Sequence, residues 1–154
     1  PTTMLLNGKI KIVKNENLSY TNWGWPIDPK GFRIALRKIY ERYHIPIIIT
    51  ENGLGAEDTL TESKNIHDNY RIEFLKNHLI NVKNAIDDGV EILSYNYWSF
   101  IDILSSSNGI NKRYGLVYID RDEFNEKKLE RIKKDSYYFY QDIIKSNGSI
   151  LSKK

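Results

Sequence analysis

The sequence predicts an α/β fold built from parallel βα units, and three observations predict it. Helical and extended segments alternate along the chain in the order helix, strand, helix, strand, helix. The helical segments carry apolar residues at helical spacing. The extended run at 45–50, Ile-Pro-Ile-Ile-Ile-Thr, is short, rich in β-branched residues and apolar on both faces. Alternation of this kind produces parallel strands joined by helices, and a strand apolar on both faces belongs to a sheet that helices cover. A closed barrel needs about eight strands and typically about 250 residues. Two clear strands therefore mean either a small open α/β domain or the end of a larger barrel.

Residues 1–22 are polar with short apolar patches and read as loop or a short hairpin. Asp28-Pro29 is a helix start, with Asp as N-cap and Pro in the first helical position. Phe32, Ala35, Leu36, Ile39, Tyr40 and Tyr43 follow at helical spacing, and His44 ends the helix. The run at 45–50 is the first clear strand, closed by Glu51-Asn52-Gly53, and 54–68 is a polar loop. A second helix is expected from Tyr70 to Asp88, with Ile72, Leu75, Leu79, Val82 and Ile86 on one face and Gly89 at its C-terminal cap. Val90 to Phe100 reads as the next strand and Gly115 to Asp120 as a short extended piece. The last helix is expected from Leu129 to Ser146, with Ile132, Phe139 and Ile143 inward. No repeat or linker splits the chain, so it reads as one unit: an approach segment over 1–27 and the βα units over 28–154.

The 154 residues are 40% hydrophobic and 28% charged, which suits a folded domain rather than a disordered tail. The absence of cysteine excludes disulfides, thiolate metal sites and a cysteine nucleophile, and a cytoplasmic location is its simplest reading. The opening residues show no secretory-leader pattern, and no run of about 18 apolar residues exists to span a membrane. A net charge of +3 favours anionic ligands slightly and does not point to nucleic acid. Lysines and arginines lie beside acidic residues along the helices, which reads as a solvated face. His44, His67 and His78 are too far apart for a local metal motif, so neither metal nor cofactor is expected.

Glu51 carries the first chemical signal. It ends a buried strand, and in α/β folds that end of the strand holds the active site. By period-two alternation it shares a face with Ile47 and Ile49. A carboxylate there is costly unless it is paired or open to a cleft. It is either a catalytic carboxylate or a Glu in a turn tightened by Asn-Gly.

Residues 47–55, Ile-Ile-Ile-Thr-Glu-Asn-Gly-Leu-Gly, resemble the strand-seven motif of glycoside hydrolase family 1. Residues 94–102 resemble its strand-eight motif, aromatic-x-x-Trp-Ser-x-x-Asp, and 112–120, Lys-Arg-Tyr-Gly-Leu-Val-Tyr-Ile-Asp, its segment just downstream. Trp23-Gly-Trp25-Pro-Ile-Asp-Pro is similar to the stretch before the strand-seven helix, and Asp68-Asn-Tyr70-Arg71 to the helix start after that strand. These motifs, in order, cover nearly the whole chain. The resemblance implies the C-terminal part of a (β/α)8 TIM barrel, about strands seven and eight with their helices. It implies retaining hydrolysis, in which two carboxyl groups about 5–5.5 Å apart act as nucleophile and acid/base. Glu51 matches the nucleophile and Trp98 the platform beneath the sugar. Trp25 and Trp23 match the aglycone-side aromatics, and Asp102 is a structural acceptor rather than a catalytic acid.

The resemblance also implies a substrate branch. Ordinary members carry a Glu shortly after the strand-eight Trp, where this chain has Ser105. A carboxylate there would repel a 6-phosphate, and a hydroxyl can donate to it. Ser105, Lys112 and Tyr114 resemble the phosphate pocket of the 6-phospho-glycosidases. The small Ser106 favours 6-phospho-β-glucosides over the galacto branch. Lys112-Arg113 otherwise reads as an exposed basic pair.

The family's acid/base Glu lies in an Asn-Glu-Pro motif, and no such triplet occurs here. The chain alone is therefore expected to be inactive. It is expected to be a fragment of an enzyme, the product of a disrupted gene, or a stand-alone domain that binds sugar phosphates or partners. Expected partners are a 6-phospho-β-glucoside and, across exposed edges, the missing N-terminal barrel portion or a second copy.

Overall fold

The computed structural model describes residues 2–6 and 9–152. Strands β1 (Thr2–Leu6) and β2 (Lys9–Val13) form an antiparallel hairpin, within the segment read as loop or hairpin. A second, small hairpin pairs β3 (Ser19–Tyr20) with β4 (Pro26–Ile27). Helix α1 (Pro29–Tyr43) starts as expected: the Asp28 carboxylate accepts from the Gly31 amide at 2.8 Å, Pro29 opens the first turn, and His44 caps the far end in a left-handed conformation. Such an N-cap is worth about 1 kcal/mol.

The centre of the fold is a parallel pair, β5 (Ile47–Asn52) and β6 (Ile92–Tyr97), linked by helix α2 (Asn69–Asp87). After α2 the chain turns through Gly89 at φ +93°, a backbone that L side chains resist. Beyond β6, β7 (Val117–Ile119) pairs antiparallel with β8 (Arg131–Lys133), and helix α3 (Asp135–Lys145) follows. The last helix thus begins later than its apolar spacing suggests. Residues 131–133 are drawn into the β7 ladder, and Ile132 sits on a strand rather than on a helix face.

Two apolar clusters hold these layers. Leu36 of α1, Val82 and Ala85 of α2, and Ile49 form the first, with Val90 and the half-buried Phe32, Tyr40, Ile47 and Ile92 around them. Leu75 and Leu79 of α2, Leu116 and Ile143 of α3 form the second. Only one face of the strand pair is covered among the described residues. Ile48 and Leu93, on the other face, are 55% and 60% exposed. The expected helix cover on both faces is not seen, because α1 and α2 pack on the same side. On α1 the packed stripe is Phe32, Leu36 and Tyr40, while Ala35, Ile39 and Tyr43 face out.

His78 of α2 is buried between Phe74, stacked at 3.8 Å, and Phe32, and its Nδ1 is 2.8 Å from the Phe74 carbonyl. Burial, only partly offset by that carbonyl and by Asp28, holds its pKa below the usual 6.5. The unfolded chain therefore takes up a proton first as pH falls. The stability that neutral His78 contributes is complete above about 6.5 and declines below it. The urea midpoint should fall between about pH 7.5 and 5.5, and the fall should be smaller in His78→Gln. An equal fall in both chains would remove His78 as its source.

Candidate active site

The carboxyl ends of β5 and β6 bring Glu51 and Trp98 to neighbouring positions. Asn52 pairs with Tyr97, and the Trp98 amide donates to the Asn52 carbonyl at 3.0 Å. The expected alternation is broken here. The ladder shifts register between Ile49 and Asn52, so Ile49 is buried against the helices while both Thr50 and Glu51 are exposed. Strict period two would have put Glu51 on the helix side with Ile49. The irregularity frees it from that face, as bulges beside active sites commonly do. The Asn52 side chain is pinned by the Tyr95 hydroxyl, which donates to its Oδ1 at 2.8 Å. Gly53 is required by close approach, since a Cβ there would lie 1.8 Å from the Trp98 carbonyl oxygen.

Ser105, Lys112 and Tyr114 converge. The Tyr114 hydroxyl donates to Ser105 Oγ at 3.2 Å, and all three residues are buried. Lys112, only 2% exposed, has its Nζ 3.7 Å from the centre of the Trp25 ring, 5.4 Å from Trp23 and 5.6 Å from Tyr114. No carboxylate lies within ion-pair distance of it among the described residues. A desolvated cation–π contact is worth about 2 kcal/mol, less than the several kcal/mol that burying an ammonium costs. The ammonium thus has aromatic faces rather than a carboxylate beside it among the described residues. Gly55 makes room for the lysine stem, because a Cβ there would lie 2.6 Å from Lys112 Cε. Ser106 is exposed on the adjoining turn and makes no side-chain hydrogen bond among the described residues. Trp98 is partly exposed beside Gly53.

Lys112-Arg113 is not an exposed pair: both residues are buried, and they serve different groups. The Arg113 backbone forms a two-way bridge with Ala56, at 2.8 and 2.9 Å. Its guanidinium donates to Asp102 Oδ2 at 3.1 Å and to the carbonyls of Ile119 and Arg121. Asp102 also accepts from Lys134 Nζ and from the Gly115 amide, each at 2.8 Å, consistent with a structural acceptor. Lys134 reaches on to Asp58, which pairs with Arg71 at 2.8 Å and accepts from the Tyr70 hydroxyl. Arg71 also pairs with Asp68, which accepts from the amide and hydroxyl of Ser136.

Three carboxylates and three cations, all with buried side chains, thus tie the 54–68 loop, the segment after β6, the end of β8 and the starts of α2 and α3 into one body. Burial would push Asp58 up, but Arg71 and Lys134 outweigh it and hold its carboxyl below the ordinary range. For Asp68 burial prevails over Arg71 and Ser136, and the pKa is raised. Burial and the neighbouring Arg71 push Lys134 down. The sequence reading of basic residues as a solvated face missed this cluster. Its one local signal was the Asp68–Arg71 spacing of three on a helix start.

Residues 3–149 match the family described as Glycosyl hydrolase family 1. The chain is 51% identical over 144 residues to the aryl-phospho-β-D-glucosidase BglC of Bacillus subtilis, covering 94% of this chain and 30% of that protein. It is 47% identical over 145 residues to a 6-phospho-β-glucosidase of Dickeya chrysanthemi, covering 94% of this chain and 31% of that one. Among solved structures, a family 1 β-glucosidase from Thermotoga maritima in complex with isofagomine lactam superposes with a TM-score of 0.86 at 35% identity, over 95% of this chain and 32% of the other. The chain spans about a third of the length of these relatives. Its sequence, its strand–helix order and its solved neighbours agree: the chain belongs to glycosyl hydrolase family 1.

Proposed function

We propose that this chain is the nucleophile-bearing C-terminal part of a retaining 6-phospho-β-glucosidase, with β5 and β6 as the seventh and eighth barrel strands. Glu51 attacks the anomeric carbon and displaces the aglycone, forming a glycosyl–enzyme that water then opens. Trp98 offers its ring to the apolar face of the sugar. Lys112, Ser105 and Tyr114 hold the 6-phosphate, one cation and two hydroxyls for a dianion. The leaving oxygen takes its proton from a carboxyl group outside this sequence. The observation that carries the reading is the convergence of Ser105, Tyr114 and the charge-unpaired Lys112 near the open strand ends. The phospho-β-glucosidase names of relatives at 44–51% identity support the same branch.

A second reading, a sugar-phosphate-binding domain without hydrolysis, rests on the same grouping of Ser105, Lys112 and Tyr114. Both readings require phosphate recognition. By calorimetry the chain should prefer glucose 6-phosphate to glucose by about 10–150-fold, the range of a charge-assisted contact, and Lys112→Met should erase the preference. Equal affinity for the two sugars, or no binding, would overturn both.

A further inference from the structure

We propose that Trp25 is a positioning residue for phosphate recognition: its indole face holds the Lys112 ammonium at the anion subsite. This inference rests on the proposed phosphate role of Lys112 and adds a residue from a different part of the chain. The family resemblance suggests an aglycone contact for Trp25, whereas the geometry puts its ring centre 3.7 Å from Lys112 Nζ.

The two residues come from separate elements. Trp25 ends the turn between β3 and β4, where its amide donates to Thr21 Oγ1 at 3.1 Å and its carbonyl accepts from the Thr21 amide at 2.9 Å. Lys112 lies beside the Ala56–Arg113 bridge. Among the described residues no carboxylate links them. The nearby acidic side chains are spent on one another's partners: Asp58 on Arg71 and Lys134, Asp102 on Lys134 and Arg113, Asp68 on Arg71. That cluster balances three charges against three, so the Lys112 charge is surplus. An ion pair with a carboxylate would fix the lysine but neutralise it. An aromatic face fixes it while leaving its charge to an incoming anion, because the ring carries no net charge. Trp23 and Tyr114 complete the aromatic enclosure at 5.4 and 5.6 Å. Trp25 itself is 46% exposed, so the lysine is covered from outside by a side chain that a ligand can approach. Phosphate specificity is then split between the approach segment and the 105–114 loop, and either piece alone is insufficient.

Two measurements on the full chain test this. The first is the rate of Lys112 acetylation by an amine reagent, read by mass spectrometry without ligand. Trp25→Leu keeps apolar cover but removes the π face, and should expose Lys112 to labelling about tenfold faster. Trp25→Phe should stay near the unsubstituted rate. The second is calorimetry with glucose 6-phosphate and with glucose. Trp25→Leu should weaken glucose 6-phosphate by about three- to thirtyfold, the range a cation–π contact supports, with glucose unchanged. Glucose 6-phosphate has no aglycone, so this loss cannot come from an aglycone contact.

Unchanged labelling in Trp25→Leu overturns the clamp, as does equal loss in Leu and Phe variants or equal loss for both sugars. If Trp25→Leu loses its circular-dichroism signal, Trp25→Tyr carries the test. It should keep slow labelling and phosphate preference, and fast labelling in that folded variant overturns the proposal. Failure of the unsubstituted chain to bind glucose 6-phosphate removes the phosphate reading itself, while the labelling result still decides the contact.

Discussion

Asp102→Asn is expected to lower the unfolding free energy by about 3–5 kcal/mol, enough to unfold a marginal domain. The substitution keeps the shape of the side chain, removes its charge and turns one of its two acceptor oxygens into an NH2 donor that faces other donors. It leaves Lys134 and Arg113, both buried, facing a neutral amide at the positions now 2.8 and 3.1 Å from carboxylate oxygens. Neither cation can swing into water, because Lys134 is held between Asp58 and Asp102 and Arg113 also serves two carbonyls. The contrast is Glu41→Gln, which removes an exposed i,i+4 partner of Arg37 and should stay within about 0.5 kcal/mol. Urea unfolding of the two variants gives the comparison. A loss below about 1 kcal/mol in Asp102→Asn would mean that water reaches the cluster and screens it.

Turnover of a chromogenic 6-phospho-β-glucoside by the chain alone should lie about 10²–10⁴-fold below that of the chain mixed with the portion supplying Asn-Glu-Pro. The proposed site holds one carboxyl group of the pair, and the proton for the leaving oxygen must otherwise come from water. The shortfall should shrink as the leaving group becomes more acidic, because a nitrophenolate departs with less help than an alkoxide. Glu51→Gln in the mixture should abolish turnover with either leaving group, since no acidity of the aglycone replaces the nucleophile. Turnover by the chain alone near that of an intact family enzyme would overturn the half-site assignment. So would a shortfall indifferent to the leaving group.

Much of the local structure was legible. The Asp28-Pro29 start, the His44 end, the aliphatic run into β5, the Leu75, Leu79 and Val82 part of the α2 stripe and the turn at Gly89 all depend on neighbours within a few residues, whereas Ile86, expected on that stripe, is 49% exposed and Ala85 is buried in its place. The failures share a cause. Residues 131–133 carry a helical apolar spacing, yet their partner is β7, more than ten residues upstream. Ile39 and Tyr43 have the right period on α1 but no neighbour to bury them among the described residues. Glu51 escapes the helix face through a register shift that only pairing with β6 reveals.

By itself, then, the sequence determined the order of the three helices with β5 and β6 between them, the family, and which side chains carry candidate chemistry, because caps, periodicity and motif spacing are properties of contiguous residues. Tertiary structure alone decided which charges are partnered. Asp58, Asp68, Arg71, Asp102, Arg113 and Lys134 become one neutral cluster only when the 54–68 loop, the segment after β6 and the starts of α2 and α3 meet. The same meeting leaves Lys112 with aromatic rings and, among the described residues, no carboxylate. The physical reason is that burial sets the worth of a charge, and burial is decided by segments that the chain keeps far apart until it folds.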